Sequence, residues 1–335
     1  MKNRKALLDQ DLLYPLTGNY QLSSHLFAYA YSEQMRKDAS LPDIDAQALW
    51  GKLGEEVAAA GVSSVILSSE NFWFSDPGEL KADIGEDYTV KVVAYIRRQD
   101  HVIASSFCEE VKREQVSLND DVQRYALFEP RLKLLDYFEI LESWGNSFGP
   151  ENVDVRIYES LGQGGIALDL CKQLDLQIDQ LSLDENSINP ALPYDLLTLI
   201  DNVSGFKAGD AAKRRFVTAV SESFAMLDSD PAYNTAGLFS VELRRQILDQ
   251  FKESNEAILS TFLGRGTADL FPSLDHEIYS KPSEEFDPQR ISKLLLGMHA
   301  HQEKVNIRLI RRLGKLEREL EEQRELLAKV LKIQH

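Results

Sequence analysis

Cysteine is nearly absent from this chain. Cys108 and Cys171 are the two it has, and neither stands in a CxxC pair or at a Cys/His spacing, which excludes a disulfide framework and a zinc-finger type of site. A reducing compartment is the expectation. Net positive charge is missing as well. The chain has 37 lysines and arginines against 54 aspartates and glutamates, for a formal −17, and binding to nucleic acid or anionic membrane through bulk charge requires the opposite sign. No apolar run approaches the roughly 20 residues that cross a bilayer. Met1-Lys2-Asn3-Arg4-Lys5 leads into Ala6-Leu7-Leu8 and is charged again at Asp9, so no secretory signal is expected and the protein is placed in the cytoplasm. HExxH, GxGxxG and GxxxxGK[ST] are also absent, which removes the usual metalloprotease, dinucleotide and phosphate-loop readings.

The 335 residues are 43% hydrophobic and 27% charged, ordinary for a globular chain able to bury a large core. Apolar clusters at 62–67, 90–96 and 153–158 read as buried strands. Helical spacing at 47–60, 102–114 and 132–144 separates them. This alternation predicts βαβ units and an α/β fold with a parallel sheet covered on both faces. From about Pro190 the pattern turns mainly helical, at 194–203, 211–227 and 240–263. The prolines and acidic residues of 281–290 read as a linker after a domain at 1–280, and 291–335 as one long helix. In that helix Gln302, Val305, Leu309, Leu313, Leu316, Leu320, Gln323, Leu327 and Val330 recur by three and four with charged flanks, a short coiled coil with one stutter and a means of self-association.

The most informative stretch runs from Val90 to Phe107. An apolar strand ends in Arg97 and Arg98, and a helix follows with hydroxyls eight residues on, so that Arg97 with Ser105, or Arg98 with Ser106, fits a phosphate site at the helix start. Gly162-Gln163-Gly164-Gly165 lies between a strand and a helix and reads as a turn. Asp136, Tyr137 and Trp144 read as core and rim.

The segment Tyr95-Ile96-Arg97-Arg98-Gln99-Asp100, with Ser105 and Phe107, resembles the 3′-phosphate-binding segment of bacterial sulfotransferases that use 3′-phosphoadenylyl sulfate (PAPS). Other pieces match in order: Tyr14-Pro15 and Ser24-His25-Leu26-Phe27, Val65 to Glu70, Phe148 to Val153, Glu185 to Asn189, and Phe251, Asn255, Leu263-Gly264-Arg265 and Leu270-Phe271. The resemblance implies a three-layer parallel sheet of P-loop-like sulfotransferase type. It also implies transfer of a sulfuryl group from PAPS to a hydroxyl of a carbohydrate or glycan, with no metal. Arg97 and Ser105 would hold the 3′-phosphate with Arg98 nearby, and Arg265 is either a second contact or a surface loop arginine. His25 or Glu70 would act as base, and Asn186, Ser187 and Asn189 would lie on the acceptor side.

Proteins of that family begin with a strand and a glycine- and lysine-containing loop that holds the 5′-phosphosulfate. Asn3 to Leu8 here resembles the helix that follows this loop. The expectation is a sheet short of an inner strand, from a start downstream of the true one, a partner segment in the slot, or a sheet closed over it, with slow chemistry for want of oxyanion donors. Two other functions stay open: a relative that binds the nucleotide without turnover, and a coiled-coil scaffold with a relic α/β domain.

Overall fold

The computed structural model describes residues 3–21, 23–85, 88–162, 164–183, 192–204, 209–224, 227, 234–264, 269–274, 280, 282, 283 and 287–333. In chain order the elements are α1 (Arg4–Leu8), β1 (Leu12–Leu13), α2 (His25–Ala30), α3 (Glu33–Asp38), α4 (Ala46–Ala60), β2 (Ser64–Val65), α5 (Pro77–Ile84), β3 (Val92–Ile96) and α6 (Gln99–Lys112). They continue with α7 (Val122–Ala126), α8 (Glu129–Lys133), α9 (Tyr137–Phe148), β4 (Val153–Ile157) and α10 (Gly165–Gln173). Five helices complete the order: α11 (Tyr194–Ser204), α12 (Asp210–Ser223), α13 (Val241–Gln250), α14 (Lys252–Phe262) and α15 (Pro288–Ile333). The protein is mixed α/β and mostly helical, with small parallel sheets and a long C-terminal helix. Among the described residues no helix is long and apolar enough to cross a membrane.

The chain builds two units in alternation. Met1–Val102, Leu127–Ile188 and Glu242–Glu277 form the first; Ile103–Ala126, Asn189–Val241 and Ile278–His335 form the second.

In the first unit short polar side chains start the helices. Asp45 accepts from the Ala48 amide at α4, Asp76 from Gly78 and Glu79 at α5 with Pro77 behind it, and Asp136 from Glu139 at α9. Asp136, expected in the core or rim, is thus a helix cap. β3 and β4 pair in parallel from Val92↔Val153 to Ile96↔Ile157. Alternation sorts their side chains: Val92, Ala94, Ile96, Val153 and Val155 join Leu141 and Trp144 of α9 and Ile258 and Leu259 of α14 in one core. On the opposite face the Tyr95 hydroxyl donates to Asp169 of α10 at 2.8 Å, and Arg156 pairs with the same carboxylate at 2.7 Å.

Where the sequence predicts one continuous sheet, the described residues hold two separate parallel pairs, β1–β2 and β3–β4. The 62–67 cluster, expected as a buried strand, contributes only Ser64–Val65, both exposed. Its partner β1 is two residues long because Tyr14-Pro15 follows, and proline offers no amide to extend a ladder. Beneath β1, Leu13, Phe27, Leu49 and Leu53 form a second core. Gly51 and Gly54 lie on the exposed side of α4, where an added methyl meets nothing within 4 Å. Gly54→Ala is expected to stabilise the first unit by about 0.5–1 kcal/mol, read as a raised urea midpoint, since glycine costs a helix that much backbone entropy.

The second unit is helical, with Leu196, Leu197 and Ile200 of α11, Val220 of α12 and Leu294 of α15 in its core. Arg290 of α15 is buried against Asp195, with Nε at 2.9 Å and Nη2 at 3.3 Å from the two carboxylate oxygens. In the first unit, the predicted helix at 240–263 is instead the pair α13 and α14, which break at buried Phe251. Of the expected linker, residues 281 and 284–286 lie outside the described residues, and α15 begins at Pro288.

Candidate functional site

Because β3 and β4 are in register, the residues that leave their carboxyl ends emerge side by side. These are Arg97 and Tyr158. The Arg97 guanidinium lies over the Tyr158 ring, 5.1 Å from its centroid, and the two residues are 41% and 43% exposed. A guanidinium on an exposed ring is held in place while its outer nitrogens face solvent. The Arg97 carbonyl accepts from the buried Tyr137 hydroxyl at 2.7 Å, which fixes the backbone of the turn. Glu159 Oε1 is 3.9 Å from Arg97 Nε, too far for a hydrogen bond. Both Arg97 Nε and Glu159 Oε2 are buried atoms without a hydrogen-bond partner.

Arg98, the neighbour that the sequence cannot distinguish from Arg97, turns inward. It is 1% exposed; its Nε donates to Asp100 Oδ1 at 2.7 Å, Nη2 to Asp100 Oδ2 at 3.2 Å and Nη1 to the Pro272 carbonyl at 2.9 Å. Arg244 of α13 donates to Asp100 Oδ2 at 2.6 Å and is buried as well. Burial would raise the Asp100 pKa, but hydrogen bonds from Arg98 and Arg244 and the charge of Arg98 outweigh it and hold the carboxyl below the usual range. His101 completes the cluster. Its Nε2 is 2.7 Å from Arg98 Nη2, a donor, so Nε2 accepts, and Nδ1 donates to Glu159 Oε1 at 3.1 Å. Glu159 also accepts from the Arg98 amide at 3.0 Å. Burial pushes its pKa up, and these hydrogen bonds bring it below the ordinary value.

A second polar cluster occupies the segments that follow β1 and β2. His25 opens α2 and is buried, stacked on Tyr29 with centroids 5.8 Å apart. Its Nδ1 is 2.7 Å from Ser69 Oγ and 3.1 Å from the amide nitrogen of Asn71. The Asn71 side-chain nitrogen can only donate, so Nδ1 accepts, and the Ser69 hydroxyl, which itself accepts from the Asn71 backbone amide at 3.0 Å, turns its proton to Nδ1 as well. With two donors on Nδ1, the ring proton sits on Nε2. Glu70 is exposed at the start of the turn Glu70–Phe74. Burial first, and then the charge of Glu70, raise the pKa of Tyr29.

The first unit therefore places Arg97 and Arg98 after β3 and His25 and Glu70 after the other strand pair. Ser105 is exposed on α6 and belongs to the second unit, as does half-buried Ser106. Arg265 lies outside the described residues, as do Asn186, Ser187 and Asn189. Gly164 and Gly165 form the turn into α10. Tyr137 and Trp144 are buried. Sequence reasoning missed Tyr158, Glu159, His101, Arg244, Ser69 and Asn71. The one available signal was that Ile157-Tyr158-Glu159 ends its strand as Ile96-Arg97-Arg98 does. Burial raises the pKa of both cysteines, to about 11 for Cys108, so neither is an activated thiol. Among the described residues no group of three or more His, Cys, Asp or Glu side chains is placed to hold a metal ion.

A protein of Archaeoglobus fulgidus, described as an uncharacterized protein, is similar to this chain, 24% identical over 196 residues that make up 58% of this chain and 52% of the relative. The chain thus spans about half the length of the relative it matches. No family profile matches the chain, and no solved structure matches it.

Proposed function

We propose that the first unit binds a 3′-phosphorylated adenine nucleotide at the carboxyl end of β3–β4. In this reading the protein is a sulfotransferase of the P-loop-like fold, with PAPS as co-substrate and a hydroxyl of a carbohydrate or glycan as acceptor. The observation that carries the reading is Arg97: a half-exposed guanidinium at the end where parallel strands receive ligands, braced on Tyr158, in a chain of formal charge −17. An arginine so braced can give two parallel hydrogen bonds to a phosphate with little loss of side-chain freedom. Arg98 is not a direct ligand in this account; with Asp100 and Arg244 it fixes the turn from which Arg97 projects. The resemblance also assigns Ser105 and Arg265, and this reading does not rest on either.

A second reading, binding without turnover, is favoured by His25. A general base needs a free lone pair, and here Nδ1 is taken by two donors while Nε2 holds the proton. His25 so held cannot take the proton of an acceptor hydroxyl.

Calorimetric titration of adenosine 3′,5′-bisphosphate separates these outcomes. Micromolar binding is expected, weakened about 10- to 100-fold by Arg97→Ala, the loss of a charge-assisted hydrogen bond. Absence of binding, or equal binding by Arg97→Ala, rejects the site. Binding together with sulfuryl transfer to an oligosaccharide supports the enzyme; binding without transfer supports the second reading.

A further inference from the structure

The helix α15 has 46 residues and a length of about 70 Å at about 1.5 Å per residue. Its first turns are spoken for: Arg290 pairs with Asp195, Leu294 is buried in the core of the second unit, and His301 meets Glu222 at 2.6 Å. Beyond that point residues 302–324 are exposed, apart from half-buried Val305 and Gly314. Yet this stretch is not polar all round. Leu309, Leu313, Leu316 and Leu320 each expose more than half of their surface along one stripe.

We propose that this stretch pairs with the same stretch of a second copy as a parallel, in-register, two-stranded coiled coil. The spacing from Leu309 onward is an unbroken heptad, with Leu313 and Leu320 at a and Leu309, Leu316 and Gln323 at d. The flanks identify the partner. In a parallel pair each g residue meets the e′ residue five positions on. Arg312 then meets Glu317′ and Glu319 meets Arg324′, two opposite-charge pairs, each made twice by symmetry. Glu319 and Arg324 now take part only in exposed pairs within their own helix, to Lys315 at 3.5 Å and Glu321 at 3.7 Å, which are weak competitors.

The antiparallel alternative fails on the same residues. Centred on Arg318, it brings Glu317 onto Glu317′ and Glu319 onto Glu319′, and sets the Gln323 amide against Leu313′ instead of a second amide. Parallel pairing lets the two Gln323 side chains bond each other.

Sedimentation of the full chain tests the proposal. The expected mass is twice the 38.0 kDa of one chain. Glu317→Arg, at an exposed position, should weaken the dimer tenfold or more while leaving the circular dichroism unchanged, and the double reversal Arg312→Glu with Glu317→Arg should bring it back to within threefold. Under mild oxidation Leu316→Cys should cross-link the two copies while the unsubstituted chain does not. A monomer at tens of micromolar, a trimer or larger, a dimer indifferent to Glu317→Arg, or a dimer that leaves Leu316→Cys uncross-linked would each overturn it.

Discussion

Asp100→Ala is expected to lower the free energy of unfolding by about 3–5 kcal/mol, measured in urea at neutral pH, because it removes one member of a fully buried ion cluster. The Asp100 carboxylate is 0% exposed and serves two guanidinium groups that are themselves 1% and 2% exposed. Without it, the Arg98 and Arg244 cations face each other in a low-dielectric interior with no shared carboxylate between them. Adding Arg244→Met to Asp100→Ala removes half of that repulsion, so the double variant should be more stable than the sum of its single changes predicts. The same cluster sets an acid limit. The carboxyls of Asp100 and Glu159 both titrate below their ordinary values when folded. Their stabilisation is therefore complete above the usual carboxylate range and is lost as pH falls through the folded values. The urea midpoint of the unsubstituted chain should drop below about pH 4, and that of Asp100→Ala should drop less. An equally steep fall in both would place the acid sensitivity elsewhere.

Gly18→Ala should be nearly as costly, about 2–4 kcal/mol, combining overpacking with a left-handed backbone. Gly18 has φ +72°, and a methyl there would lie 2.3 and 2.4 Å from two ring atoms of Phe27, which has no accessible surface. Neither partner can yield, since the Gly18 carbonyl accepts from the Leu26 amide at 3.2 Å and Phe27 fills the core under β1. Phe27→Leu makes room. If the clash is the cause, Gly18→Ala with Phe27→Leu will cost less than the two single variants added together, as thermal unfolding of all three can show.

Much of the first unit was legible as period. Helical spacing at 47–60 became α4, and the alternation of Val153 and Val155 with Asp154 and Arg156 became a strand with two different faces. The 62–67 cluster misled because it is apolar without being long, and its burial depended on a neighbour that Pro15 cuts short. Arg97 and Arg98 mark the limit at the site. Two adjacent arginines look alike in a sequence; which one goes inside is decided by Asp100 and by Arg244, 144 residues beyond Asp100. The tautomer of His25 was hidden for the same reason, since it rests on Ser69 and Asn71, 44 and 46 residues away.

The interleaving of the units fixes the order in which synthesis can finish them. β3 leaves the ribosome with Asp100 and Arg98 soon after it, but Arg244 and the helix α14 that covers the sheet come only with the third segment, Glu242–Glu277. Until then the sheet face that will become core stays open, and the buried charge cluster lacks its second cation. A nascent chain stopped before that segment is an incomplete unit with exposed strands, the kind of species that chaperones hold and proteases clear. Truncating the chain at any point before Glu277 would create the same species permanently.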